Sequence, residues 1–165
     1  MSKLIAMAAL FIVSIIAQIS FIHSLPYPFT LLPLHFIIGI IVMHRSNDQS
    51  GIIWFIATPL FIQLFASFTF EAFWAHIAVA LFGYLLTSRI FTTRSVYALE
   101  GLGLSLFTAF ALSNAIIHLF NIPVQLLSVS ELFYSLLFLI IGLYIGFTIA
   151  KYIEHLAARV FLIRT

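Results

Sequence analysis

Apolar residues in this chain come in six long runs, separated by short breaks that are polar or contain proline. The runs cover about residues 4–22, 29–43, 52–70, 72–88, 96–119 and 132–150. A helix of about 20 apolar residues crosses the ~30 Å hydrocarbon core of a bilayer. The pattern therefore predicts an all-α integral membrane protein, in which a bundle of six transmembrane helices forms one domain from residue 1 to 165.

The breaks between the runs contain residues that disfavour helix interiors. Pro26 and Pro28 separate the first two runs, while Pro33 lies inside the second and predicts a kinked start or a tilt. Pro59 predicts a kink in the third helix. The sixth helix is expected to begin at an N-cap serine, either Ser128 or Ser130.

The composition agrees with this pattern. Of the 165 residues, 64% are apolar and 7% are charged, whereas a soluble domain carries about 25% charged residues. No cysteine is present, so disulfides are excluded. Seven Lys and Arg residues against five acids are too few to indicate nucleic-acid binding. The first run is interpreted as a retained helix, and a cleaved signal peptide is the alternative.

The basic residues predict the orientation of the bundle. With six crossings, the N-terminus, the loops 44–51 and 89–95 and the C-terminal tail share one side. That side holds all seven basic residues: Lys3, Arg45, Arg89, Arg94, Lys151, Arg159 and Arg164. By the positive-inside rule both termini face the cytoplasm, and Arg45, Arg89, Arg94 and Lys151 set the topology. The polar run HRSNDQSG (44–51) is then a cytoplasmic turn, with a dedicated binding role as the alternative.

The tail from residue 151 to 165 reads KYIEHLAARVFLIRT. Its charged and apolar residues recur at three- and four-residue spacing, which predicts an amphipathic continuation of the last helix. The apolar face is expected to lie on the membrane lipids and the basic face against anionic headgroups. A helix that docks onto a partner is the alternative.

Two helices carry small residues at every fourth position. On the fifth helix these are Gly101, Ser105, Ala109 and Ser113; on the sixth they are Gly142, Gly146 and Ala150. Such stripes let helices approach closely in a bilayer. They are interpreted as packing surfaces, filled either by neighbouring helices of the same chain or by a partner protein.

Polar side chains within the predicted spans are few. Glu100 is expected to pair with Arg94 or Arg89, with a functional contact as the alternative. The isolated residues Gln63, Asn114 and His76 are interpreted as interhelical hydrogen-bonding groups rather than ligands. Gln18 and His35 have the same interpretation.

The sequence offers little for catalysis. It has no serine flanked by glycines in a nucleophile motif, no pair of intramembrane carboxylates and no His-Glu-x-x-His spacing. We expect neither an enzyme nor a resident cofactor or metal.

The layout resembles the MreD family, the small multispanning subunit of the bacterial rod-shape machinery. The resemblance is carried by the proline turn LPYPFTLLPL, the stretch WFIATPLFIQLFASFTFEAFWAHIAVALFGYLL and the segment FTTRSVYALEGLGLSL. Family members often carry an Asp near the end of the third helix, where this chain has Gln63, Ala66 and Ser67.

The resemblance implies a scaffold subunit in the cytoplasmic (inner) membrane that associates with an MreC-type membrane protein and, through it, with the cell-wall synthesis complex that elongates peptidoglycan and determines cell shape. The family fold also resembles that of the substrate-binding S components of vitamin transporters. A small-molecule-binding transporter subunit is therefore the alternative function.

Overall fold

The computed structural model describes residues 2–45, 50–65, 71–93, 95–120 and 127–162. These residues form six α-helices and no strand: α1 Ser2–Ile16, α2 Leu34–Arg45, α3 Ser50–Phe65, α4 Glu71–Arg89, α5 Val96–Leu119 and α6 Val129–Leu162. The all-helical prediction is confirmed for this part of the chain. Two stretches, Val96–Leu119 and Val129–Glu154, are long and apolar enough to cross a membrane.

The first helical run does not stay α-helical to its predicted end. After Ile16 it widens into a π-helix, Ala17–Phe21, and then tightens into a 3-10 turn, Ile22–Ser24. A second 3-10 turn, Phe29–Leu31, precedes α2, which begins only after Pro33. The kinked start predicted from Pro33 is confirmed, because a proline has no N–H to donate and restricts the residue before it.

Gln18 joins the π-helix to this break. Its Nε2 donates to the carbonyl oxygen of Leu32 at 3.2 Å, and its Oε1 accepts from the N–H of Leu34 at 2.9 Å. The Leu34 N–H also lies 3.0 Å from the Leu32 carbonyl. The first N–H groups of a helix have no partner within that helix. A buried side chain from another segment therefore caps the start of α2.

The shortest helix lies at the centre of the bundle. α2 packs against each of the other five helices, and seven of its twelve residues are buried. Ile40 and Phe55 are fully buried, next to Leu99 of α5 and Leu139 of α6 in one apolar core. A helix that is surrounded by several others must be apolar on nearly every face. This agrees with the continuous hydrophobic run in this segment.

The last two helices begin at serine caps. Ser95 Oγ accepts from the N–H of Ala98 at 3.1 Å. Ser128 Oγ accepts from the N–H of Glu131 at 3.3 Å, while Glu131 Oε2 accepts from the N–H of Ser128 at 2.7 Å. This reciprocal arrangement is a capping box. Of the two serines expected from the sequence, the structure selects Ser128, so α6 begins three residues before the predicted position.

α6 continues without interruption through the predicted boundary at residue 150. Its 34 residues correspond to about 51 Å at 1.5 Å per residue. The prediction that the tail continues the last helix is confirmed as far as Leu162. Contact of the tail with the membrane surface stays a prediction, and residues 163–165 lie outside the described ranges. α3 is likewise helical across Pro59, where the kink stays a prediction.

Candidate functional site

The small-residue stripe on α6 is filled from within the chain. A Cβ placed on Gly142 would be 3.3 Å from Cγ1 of Ile37 and would overlap its Cδ1. A Cβ on Gly146 would overlap Cδ1 of Ile41 in the same way. Both isoleucines belong to α2, so these glycines form notches for side chains of the central helix. Ala150, the last member of the stripe, is half-buried.

The α5 stripe has two different environments. At its start, Gly101 faces the ring of Phe91, and a Cβ there would be 2.8 Å from Cε1 of that ring. Further along, Ser105 and Ala109 line an open groove, and Ser105 Oγ donates to the Gly101 carbonyl at 2.8 Å. Ser113, one turn beyond, is half-buried.

The sequence analysis missed Gly103 as the residue that admits α6. A Cβ on Gly103 would overlap Cδ1 of Leu143 and approach Cδ1 of Ile40 to 3.7 Å. The signal lies in the letters GLGLS, where two glycines two positions apart point to different faces of a helix. Gly101 makes room for Phe91, which lies between α4 and α5, and Gly103 makes room for Leu143 of α6.

The open groove lies between α4 and α5, and its volume is about 390 Å³. Its lining is mostly apolar: Phe82, Leu104, Ser105, Thr108, Ala109 and Leu112. Thr108 Oγ1 donates to the Leu104 carbonyl at 2.8 Å and Ser105 Oγ is bonded to its own helix. Both hydroxyls are therefore satisfied locally, and the groove offers shape and apolar surface rather than free hydrogen-bonding groups.

One end of the bundle gathers basic residues, and we call it the basic end. Arg45 forms an ion pair with Glu154 of α6, and its guanidinium carbon lies 5.1 Å from the centroid of the Phe147 ring. His44 Nε2 lies 3.1 Å from the carbonyl oxygen of Thr93. Three segments therefore meet at the basic end: the end of α2, the connection 90–95 and residues 151–154 of α6.

Other predicted topology-setting residues have different surroundings. Arg89 and Lys151 are exposed at the basic end, while Arg94 lies outside the described residues. Glu100 is half-buried, and the ion pair of Arg45 with Glu154 is the only one between residues that the structure describes. Pairing of Glu100 with Arg89 is thus absent from this part of the chain, and pairing with Arg94 stays a prediction.

The predicted intramembrane polar residues are partly brought together. The rings of His35 and His76 are stacked with centroids 6.2 Å apart, and His76 meets Phe110 edge-on at 5.1 Å. Asn114 follows Phe110 by one helical turn, hence on the same face of α5. The remaining residue of this group, Gln63, belongs to α3, but its side chain is outside the described part.

Large apolar side chains are exposed on the five helices that surround α2. On α6 they include Phe133, Tyr144, Ile145 and Ile149, each more than half exposed. Ile53 and Leu85 are exposed to a similar extent on α3 and α4. Soluble monomers rarely expose a contiguous apolar patch larger than a few hundred Å², whereas the surface of a membrane protein that faces lipid tails is apolar throughout. The surface of the described helices therefore suits contact with lipid.

No family model, curated protein or solved structure matches this chain.

Proposed function

We propose that this chain is a non-enzymatic scaffold subunit in the cytoplasmic membrane of a bacterium and that it binds partner membrane proteins through a helix-packing surface. The observation that carries the proposal is the groove between α4 and α5. Ser105 and Ala109 are stripe residues whose small side chains leave space that is open on the outer surface. In a bilayer, close packing and not hydrophobic exclusion holds helices together, so an apolar notch is the feature that an incoming helix requires.

The proposed topology has six spans with both termini in the cytoplasm. Two contacts support it: Arg45 pairs with Glu154, and His44 contacts the Thr93 carbonyl in the connection 90–95. Lys151, next to this end, is exposed. These residues come from three chain segments that the positive-inside rule assigns to the cytoplasm. Convergence of these segments at one end is what a six-span arrangement requires.

The proposed partner is an MreC-type membrane protein, through which the chain would join the cell-wall synthesis complex for elongation. This part of the proposal rests on the layout of the proline turn, the polar loop and the segment from Phe91 to Leu106, as given by the resemblance to the MreD family. The groove would supply the physical means, because its apolar lining along α5, bordered by Phe82 of α4, offers a packing surface to a membrane-spanning helix of a partner.

Co-purification tests the proposal. Ala109→Leu fills the groove with three additional heavy atoms, and we expect it to abolish recovery of an MreC-type protein co-expressed with this chain. Ala9→Leu is the matched control, since Ala9 is exposed on α1 and the same change there leaves the groove open. Equal recovery with wild type, Ala109→Leu and Ala9→Leu would exclude the groove as the partner surface.

A second candidate function is the substrate-binding subunit of a small-molecule transporter. One observation favours it: His35 and His76 are stacked inside the bundle, with Asn114 on the face of α5 that carries Phe110, and a ligand site needs a few convergent polar groups. The scaffold is preferred because the groove is open to the outer surface of the bundle, where a partner helix can reach it. High-affinity binding of a water-soluble vitamin by the purified chain, combined with no partner recovery, would reverse the preference.

A further inference from the structure

Two polar side chains from different helices are stacked inside the bundle, and a third is placed on the neighbouring face of α5. His35 is the second residue of α2, His76 lies in α4 and Asn114 in α5. The two imidazole rings are 6.2 Å apart and nearly parallel. Phe110 stands against His76 at 5.1 Å and precedes Asn114 by one turn, so Asn114 lies on the face of α5 that carries Phe110 towards His76.

Two atoms of this cluster are buried without a partner in the described part of the chain. They are Nδ1 of His35 and Oδ1 of Asn114. The His35 backbone, in contrast, is satisfied, because its carbonyl accepts from Trp54 Nε1 at 3.1 Å. A buried polar atom with no partner destabilises a fold by the full desolvation cost of that atom. More than nine-tenths of such atoms in native proteins have a protein or water partner.

We infer that His35, His76 and Asn114 form a binding site for a small uncharged molecule that carries an O–H or N–H group. An amide oxygen only accepts, so the bound molecule must donate to Asn114, while an imidazole nitrogen either accepts or donates according to its tautomer. The surrounding rings of Phe36 and Phe110 offer no counter-charge. An ion in such surroundings is strongly disfavoured, and the bound molecule is therefore neutral.

Either orientation of the Asn114 amide calls for a bound molecule. Exchange of the Asn114 oxygen and nitrogen would place a donor where the acceptor now lies. The position would still be buried and unpartnered, and a hydroxyl group satisfies either orientation. The same chemistry has two sources, an ordered internal water or an organic solute, and the site does not depend on the scaffold function of the groove.

Replacement of Asn114 by an apolar residue of equal size separates an occupied site from an empty one. If nothing binds there, Asn114→Leu removes an unsatisfied group, and the unfolding temperature of the purified protein in detergent rises. If the site is occupied, the variant loses bonds to the bound molecule, and we expect the unfolding temperature to fall by about 2–4 °C. Thr148→Val is the control, because its hydroxyl is exposed, lies outside the groove and is bonded only to its own helix. A rise for Asn114→Leu overturns the inference.

Two further measurements on the wild-type protein identify the occupant and remain available if Asn114→Leu does not fold. Native mass spectrometry shows an organic solute as a fixed additional mass. For water, we expect magnetisation transfer from water protons to the ring of His35 in protein labelled with ¹⁵N-histidine, assigned by loss of the signal in His35→Gln. Either signal supports the site and distinguishes its source. Absence of both the added mass and the transfer overturns the inference.

Discussion

Ile37 of α2 fills the space beside Gly142 of α6, so a side chain of the central helix packs directly against the backbone of the last helix. The same relationship recurs one turn along, between Ile41 and Gly146. The α6 stripe thus belongs to the fold of the monomer. This leaves the α5 positions Ser105 and Ala109 as the small residues of the two stripes that line an open groove.

Enlarging Gly142 should therefore destabilise the monomer itself. Gly142→Leu forces Ile37 out of its position, and overpacking of this kind typically costs about 1–3 kcal/mol. Thermal unfolding in detergent measures the loss. Ala9→Leu, at an exposed position on α1, is the control and should leave the unfolding temperature unchanged. Wild-type stability for Gly142→Leu would show that the α6 stripe does not face α2.

Gln18 should be required for the joint between the π-helix and α2. Gln18→Leu keeps the size but removes a donor to Leu32 and an acceptor for Leu34. Because the buried Gln18 side chain bonds two part-buried backbone groups, and the Leu34 N–H keeps the Leu32 carbonyl as a second acceptor, we expect a loss of about 1 kcal/mol. Denaturant unfolding compares this variant with Ser24→Ala, whose hydroxyl is exposed and bonded only to Phe21. Equal stability of the two variants would contradict the role assigned to Gln18 as the cap of α2.

The Arg45–Glu154 pair should contribute little to stability. Glu154 is 62% exposed and Arg45 18% exposed, and pairs near solvent contribute about 0.2–1 kcal/mol. A double-mutant cycle with Arg45→Met and Glu154→Gln measures their coupling, which should decrease with added salt. The control cycle pairs Arg45→Met with Lys151→Gln. A coupling above about 2 kcal/mol, or one independent of salt, would place the pair in a dry environment.

Topology is tested by labelling, since the chain has no cysteine of its own. Ser46→Cys lies in the predicted cytoplasmic loop 44–51. We expect an impermeant thiol reagent to leave it unlabelled in intact cells and to label it after permeabilisation. Ser128→Cys, at the opposite end of the spans, is the matched control and should react from outside. Reaction of Ser46→Cys in intact cells would contradict the six-span orientation.

Features encoded locally were predictable from the sequence. The fifth helix has the predicted bounds, Val96–Leu119, because an apolar run follows a polar break and Ser95 caps it. For the same reason the cap of α6 was predicted to be either Ser128 or Ser130. In contrast, Gln18 was predicted to form interhelical hydrogen bonds, but its partners could not be named, since they come from a segment fourteen to sixteen residues away.

The occupants of the small-residue stripes could not be predicted. A glycine at every fourth position predicts a groove along one face of the helix. Which side chain fills that groove depends on how the helices pack, which the local sequence does not specify. Gly142 received Ile37 and Gly101 received Phe91, although the two stripes look alike in sequence. The stacking of His35 on His76 likewise depends on α2 starting after Pro33, which sets the depth of His35 in the bundle.

Site-specific photocrosslinking tests the partner-binding groove most directly. A benzophenone amino acid in place of Phe82 substitutes one aromatic group for another at the edge of the groove, where Phe82 is 41% exposed. The control is the same replacement of Tyr144, which is 59% exposed on α6. In cells that co-express an MreC-type protein, we expect a crosslinked product of the two chains from position 82 and none from position 144. A product of equal yield from both positions, or from neither, would contradict the groove as the site of partner binding.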